Sequence, residues 1–358
     1  MQRIACIPAR ELDVQLRERW RELRQENPEL VSPFFCVEFT DAIAHARTDV
    51  EVAVITDGGK ITGLFPFQRR RWSVGRPVGG LISDYQGIIC RRDFTCDPIE
   101  LLRHCSLLAW DFDHLLVSQS FFSAFHRNQD GSPVLDLSSG YNAYAAQTRA
   151  ARTKVIKLER RLEREVGPVR FVFHSSGAAD LARVLAWKTS QYLTHGKTDL
   201  FATPWVMSAL RRIHATGTAH FCGTLSLLYA GDHMVAGHFG MRAGTVWHYW
   251  FPAYDSRYAK YSPGFLLLLK MIQAAPGLGV TTIDLGRGMT LYKERLKNGC
   301  VAIAEGSVER HSWLKISRQI KKQTRNTARS LLLRMPLSGA TREFVTYARG
   351  LRRLSLVD

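Results

Sequence analysis

The sequence predicts a mixed α/β (α+β) protein built as two domains, and three observations predict it. The chain has 358 residues, 46% of them hydrophobic, more than one core needs at roughly 100–200 residues per domain. Short runs of alternating apolar and polar residues are interleaved with stretches of helical spacing along most of the length. Both halves carry a strand–turn–strand hairpin with a glycine in its second strand. In one, Asp57-Gly58-Gly59-Lys60 precedes Gly63; in the other, Ala230-Gly231-Asp232 precedes Gly237. A divergent duplication would account for the pair.

Each element can be read in turn. Residues 12–23 have helical spacing, with Leu16, Trp20 and Leu23 on one side. Strands are expected over 50–55, 61–67 and 81–89, a helix over 101–110 and a strand over 113–117. Asp130-Gly131-Ser132-Pro133 and Ser138-Ser139-Gly140 read as loops, which sets the first domain at 1–140 and the second at 141–310. The second opens on a helix over 141–165, with an apolar stripe through Val155, Leu158 and Leu162 and a basic opposite face. A strand over 169–174, helices over 178–193 and 205–216, and strands over 220–229, 235–241 and 245–251 follow. A helix over 265–275 and a buried strand over 280–285 complete the series.

Composition narrows the function classes. The formal charge is +17, from 49 Lys and Arg against 32 Asp and Glu. Residues 310–358 hold twelve of those bases and two acids, a balance of +10. We read 311–358 as a basic helical tail, suited to anionic lipid at about 1 kcal/mol per Lys or Arg. RNA, a nucleotide, or a purely solubilising role are the competing readings. No run reaches the ~20 apolar residues of a membrane span, and Arg3, Arg10 and Asp13 break any secretory pattern. A cytoplasmic protein is expected, with peripheral contact at the inner membrane through the tail. The seven cysteines form no Cys-x-x-Cys pair, so they are read as reduced thiols and no metal is expected.

The chemistry is expected at Ser262-Pro263-Gly264. Ser262 suits an N-cap and Pro263 the first helical position. Gly264 leaves backbone N–H groups open at the positive end of the following helix, opened by Phe265. Such an end can bind a pyrophosphate, with Lys260 and Arg257 adding charge. An ordinary capped helix is the plainer alternative.

The order of these motifs resembles the CelD-like (cellulose-biosynthesis protein) acyltransferases of the GNAT superfamily, relatives of the Fem-type transferases. The matching stretches are Ala236-Gly237-His238-Phe239-Gly240-Met241-Arg242, Tyr254-Asp255 with Tyr261-Ser262-Pro263-Gly264, and Asp284-Leu285-Gly286-Arg287-Gly288 with Tyr292-Lys293. In the first half, Phe65-Pro66-Phe67 and Asp84-Tyr85-Gln86-Gly87 match as well. The resemblance implies tandem GNAT-like domains, the first degenerate, each a mostly antiparallel sheet flanked by helices. It also implies an acyl donor lying between strands 245–251 and 280–285, with its phosphates at helix 265–275. The usual GNAT glycine loop is missing. That leaves open an acyl-CoA such as acetyl-CoA as co-substrate, a carrier-protein thioester, or an aminoacyl-tRNA.

Roles follow from the residue types. His238 and His248 are candidate general bases on adjacent strands, and Asp284, ending an apolar strand, is a base or a His-orienting carboxylate. A shared face would put both histidines in one cleft; core histidines are the alternative. Lys293 could stabilise a thioester oxyanion or bind a phosphate, with Arg287 and Tyr292 as further substrate contacts. The function expected is acyl transfer, N-acyl or N-acetyl in type, from a CoA-type thioester to an amine or hydroxyl of a sugar or glycan precursor in exopolysaccharide synthesis. A Fem-type aminoacyl-tRNA-dependent transferase and a non-catalytic nucleotide-binding regulator are the alternatives. Nucleic acid is disfavoured as a partner under the first reading.

Overall fold

The computed structural model describes residues 2–310; the basic tail expected over 311–358 lies outside the described residues. The first series of elements is β1 (Arg3–Pro8), α1 (Val14–Gln25), α2 (Val37–Ala46), β2 (Val50–Asp57), β3 (Lys60–Arg70), β4 (Val74–Arg76), β5 (Ile89–Cys90), α3 (Pro98–His104), β6 (Ala109–Leu116) and β7 (His126–Asp136). Helices α4 (Tyr141–Gln147) and α5 (Arg149–Glu165) lead into the second series. That series is β8 (Val169–Val172), α6 (Ala178–Thr194), α7 (Pro204–Ala215), β9 (Cys222–Ala230), β10 (His233–Ala243), β11 (Val246–Tyr254), α8 (Pro263–Ala274), β12 (Thr282–Asp284), α9 (Leu291–Leu296) and β13 (Gly299–Glu309).

One sheet carries these strands in the order β1-β2-β3-β4-β6-β13-β7-β12-β11-β10-β9-β8, with β5 added on β3. The order reads alike from both edges. In each series two helices separate the first strand from the hairpin, and the fourth strand runs parallel to its next neighbour in the sheet, β4 with β6 and β11 with β12. The two closing strands are exchanged: β13 pairs β6 of the first series, β7 pairs β12 of the second, and they pair each other. The fold is therefore a mixed α/β sheet with a repeated, tandem plan.

Packing explains the layers. Helices α1, α2, α6 and α7 cover one face, in a core that joins both series through Trp20, Phe34, Phe39, Leu210 and Trp250. The other face has a core under α5 and α8, built on Trp247, Ile283 and α8's Leu266, Leu267 and Leu268, and a second under α3 around Phe65, Trp110 and Phe122. Each fully buried aliphatic contributes about 1.5–3 kcal/mol.

Several expectations fail for physical reasons. Residues 130–133 are strand, not loop. β7 is polar there, but its backbone is zipped to β13 through residues 130–133 and to β12 at Val134–Asp136, and pairing overrides its weak propensity. Residues 81–89 run mostly as loop after a short turn at Gly80–Ile82, with only β5 extended. The helix expected over 101–110 ends at His104, and its last residues begin β6. The helix over 141–165 is two helices broken at Thr148.

Candidate active site

The parallel ladder between β11 and β12 has three rungs: Val246 with Thr282, Trp247 with Ile283, and His248 with Asp284. Beyond the third the strands part, so His248 and Asp284 sit in the angle of a fork. Both are buried.

His248 lies between two carboxylates, hydrogen-bonded to one and in ion-pair range of the other. Its Nε2–H donates to Asp84 Oδ2 at 2.9 Å, and its Nδ1 lies 3.7 Å from Asp284 Oδ1. Asp84 comes from the loop after β4, 164 positions away in sequence. That loop is pinned: Gln86 bonds Asp113 and the backbone of Asp113 and His114, and Gln119 holds both backbone groups of Ile88. Gly286 makes room, since its positive φ of 69° and missing Cβ let the Asp84 carboxylate approach. Asp284 Oδ1 accepts from Ser132 Oγ on β7 at 3.0 Å and from the Gly286 N–H at 2.8 Å. Phe34 and Tyr85 close the ring edges, with centroids 4.9 and 6.3 Å from that of His248.

Burial alone would strip the proton from His248, but the Asp284 and Asp84 carboxylates outweigh it and raise the pKa to about 9. Burial pushes the Asp284 carboxyl up, and the His248 imidazolium more than offsets it, leaving its pKa lowered. At neutral pH the centre is an imidazolium between two carboxylates. Asp84 is the partly exposed member, at 24% of its side chain.

His238 does not share this cleft. Its ring stacks on Tyr249, centroids 4.6 Å apart, on the α8 side of the sheet, whereas His248 faces Phe34 on the α2 side. A bulge causes the separation. Between Phe239–Phe251 and Met241–His248 the single Gly240 opposes both Tyr249 and Trp250. A Cβ on Gly240 would strike the His248 carbonyl. His238 Nε2 accepts the Trp250 N–H at 3.1 Å, and burial followed by the nearby His248 lowers its pKa well below the usual value. It is a neutral ring supporting the bulge.

The turn at 262–264 is narrower than expected. Ser262 adopts the left-handed conformation, φ 52°, and its side chain caps nothing. Its carbonyl accepts the N–H groups of Phe265 and Leu266 at 3.0 and 3.1 Å. Pro263 has no N–H, which leaves the Gly264 N–H as the donor at the start of α8. Lys260 pairs with Glu165 at 3.1 Å, and Arg257 with Asp255, so neither charge stands free.

Arg287 is also spent: it reaches Asp130 at 3.0 Å, the Asp113 carbonyl at 2.9 Å and Glu305 at 3.5 Å. Tyr292 packs edge-on to Phe265 beside the start of α8. Lys293 is buried, and its Nζ donates to the Gly286 and Arg287 carbonyls at 3.0 and 3.2 Å. Burial lowers its pKa, against the pull of Asp84 and Asp284.

Two residues were missed. Asp84 belongs to the Asp84-Tyr85-Gln86-Gly87 stretch noted in the sequence, but nothing local in that stretch marks it as the partner of His248. Lys188 of α6 donates to the Pro252 carbonyl at 2.9 Å, lies over the Tyr192 ring, and has its pKa lowered to about 8 by burial and then by Lys197 and Lys293. A lysine between Trp187 and Thr189, mid-way along an otherwise mixed helix, was the only signal.

Comparison with known proteins fits this geometry. Residues 149–294, which include β11, α8, β12 and the fork, match the family model described as an acetyltransferase (GNAT) domain. No curated protein matches the chain. Among solved structures it is similar to FemX, at 11% identity and a TM-score of 0.57 over 86% of this chain and 97% of that one. It is also similar to the C-terminal domain of a putative lysylphosphatidylglycerol synthetase from Agrobacterium fabrum, at 11% identity and TM-score 0.52 over 85% and 94% of the two chains. L-PGS from Bacillus licheniformis follows at 13% and 0.51 over 82% and 91%. No described helix is long and apolar enough to cross a membrane. The chain thus holds a GNAT-type acyltransferase domain, set in the fold shared by GNAT and Fem-like proteins.

Proposed function

We propose that the protein moves an acyl group from a CoA-type thioester, threaded through the β11/β12 fork, to an amine or hydroxyl of a sugar or glycan precursor. The observation that carries this reading is the Asp84–His248–Asp284 array at the fork, assembled from both series. The donor's phosphates lie at the Gly264 end of α8, and its carbonyl reaches the His248 side of the sheet. The acceptor enters at Asp84. Its nitrogen or oxygen bonds to the thioester carbon, and the C–S bond breaks. The proton it gives up passes to the Asp84–His248 couple, and the departing thiolate takes one back. Asp284, fixed by Ser132, faces the ring, and Lys293 is the cation that would offset negative charge on the tetrahedral oxygen.

The test is thiol release from acetyl-CoA with amino-sugar acceptors. Gly264→Trp should abolish donor binding with the fold intact, because its side chain would cover the Gly264 N–H and meet Tyr254. Unchanged donor binding removes the phosphate role from this turn. The rate should fall as pH rises through about 9, when His248 loses its proton; a rate still climbing at pH 10 would refute this use of the ring.

The FemX likeness favours a second reading, in which the donor is an aminoacyl-tRNA. It predicts tRNA binding that weakens steeply with salt. Failure of aminoacyl-tRNA to bind at low salt excludes it. In either case the basic tail is proposed to contact an anionic surface, and vesicle sedimentation with and without residues 311–358 tests that.

A further inference from the structure

The turn between β3 and β4 takes no part in the reaction centre, yet it holds the most exposed large apolar side chain among the described residues. Trp72 is 82% exposed, within the run Arg69-Arg70-Arg71-Trp72-Ser73. Its ring packs against none of the three cores. Its backbone is left-handed, at φ 62° and ψ 31°, and Ser73 follows at φ 49°. Bulky residues rarely adopt that conformation, and two non-glycine residues in succession there are strained. Glycine would relax the turn. The fold instead holds an indole out in water on a strained backbone.

The charges near this ring are of two kinds. Arg69 pairs with Glu51, Arg70 with Asp49, and Arg103 at the end of α3 with Glu100. Arg71 is exposed and, with Arg310, has no carboxylate in ion-pair range among the described residues; the Arg310 guanidinium meets the Leu107 carbonyl at 3.2 Å. Arg310 is also tied to the turn through the backbone. Its N–H donates to the Leu108 carbonyl at 3.0 Å, and the Leu108 N–H donates to the Ser73 carbonyl at 2.8 Å. The described chain therefore ends beside Trp72, and the basic stretch 311–358 starts there. That stretch sets Ile316, Ile320, Leu331, Leu332 and Leu333 among its bases.

We propose that the Trp72 turn is a docking surface for a bilayer containing anionic phospholipid. The indole enters the headgroup region, Arg71 and Arg310 meet lipid phosphates, and the tail binds the same surface from beside them. The proposal rests on the lipid contact proposed for the tail and adds to it a preformed surface of the folded chain. Reversible membrane binding becomes firm when two weak attachments act together, and this edge of the sheet supplies the second. The aliphatic residues among the tail's bases suit hydrocarbon. A lone ring is a poor platform for successive nucleobases, which favours a bilayer over RNA.

The experiment sediments the full chain with phosphatidylcholine vesicles, with and without phosphatidylserine, and follows thermal unfolding in parallel. The wild type should bind the anionic vesicles alone. Trp72→Gly should weaken that binding by about tenfold or more while raising the unfolding temperature by about 1–3 °C, because the strained turn relaxes. Trp72→Phe should keep most of the affinity, and Arg71→Ala should lose about fivefold. A ring that served the fold would give the opposite stability change, so a lower unfolding temperature in Trp72→Gly overturns the proposal. Vesicle binding unchanged in Trp72→Gly overturns it too and leaves the tail's contact standing. No binding of the wild type to anionic vesicles overturns both. Single-stranded RNA binding that falls in Trp72→Gly, with vesicle binding intact, assigns the surface to RNA and overturns the bilayer.

Discussion

The two forks of the sheet have the same topology and different chemistry. Counted from the first rung, His248 and Asp284 of the β11/β12 fork correspond to Arg76 and Asp111 of the β4/β6 fork. The second pair is also joined, with Arg76 Nη2 3.2 Å from Asp111 Oδ2. Even the supporting hydroxyl is repeated. Ser132 of β7 donates to Asp284, and Ser307 of β13 donates to Asp111 at 2.7 Å. Each serine comes from an exchanged strand. The difference is that arginine stays charged at every accessible pH, whereas histidine titrates. One fork can trade a proton and the other can only hold its strands together. The first series instead supplies Asp84, Phe34 and Tyr85 to its neighbour's site.

The largest effect should come from breaking the titrating fork. His248→Gln should lower kcat by about 10²–10⁴-fold, the range of a lost acid–base group. Arg76→Gln should leave kcat within about threefold and cost no more than about 1 kcal/mol of stability, since Arg76 is 41% exposed and its pair is an ordinary half-exposed one. Equal losses of activity in the two variants would show that the correspondence carries no division of labour.

Much of the β11/β12 fork was legible in the sequence. Asp284 stood out because a carboxylate ended an apolar strand, and the Ser262-Pro263-Gly264 turn does open α8. The partner of His248 was not legible, because a hydrogen bond across 164 residues depends on how two series pack. Facing relations failed where alternation was broken: the bulge at Gly240 and the pairing register put His238 and His248 on opposite sides. The strands β7 and β13 were missed because polar and glycine residues interrupt their alternation, and pairing with each other and with β12 and β6 makes them strands.

A smaller effect should follow from Asp84→Asn, which keeps Asp284 and removes the one carboxylate contributed by the first series. The His248 pKa should drop from about 9 toward its ordinary value of 6.5, read by NMR titration of the ring. A folded-state pKa raised in this way adds stability that is complete below pH 6.5 and is lost as pH rises through 9. The whole array is worth at most about 3.5 kcal/mol on this scale. Thermal unfolding of the wild type should therefore weaken between pH 6.5 and 9, and the variant should show less of that slope. An unshifted His248 resonance in Asp84→Asn would mean that Asp284 alone charges the ring.

The finest comparison uses the two serines. Ser132→Ala and Ser307→Ala each remove one hydroxyl donor from a buried or half-buried carboxylate, and each should cost about 0.5–1.5 kcal/mol of stability by denaturant unfolding. Their effects on catalysis should differ. Asp284 keeps the Gly286 N–H after Ser132 is lost, so the ring stays roughly oriented and kcat should fall by no more than about tenfold. Ser307→Ala should leave kcat unchanged, because the carboxylate it supports pairs with Arg76 and lies in the fork without a histidine. If both variants lose stability alike but only Ser132→Ala touches kcat, the repeated serine–carboxylate pair is a scaffold inherited by both forks, and the histidine alone turned one of them into a reaction centre.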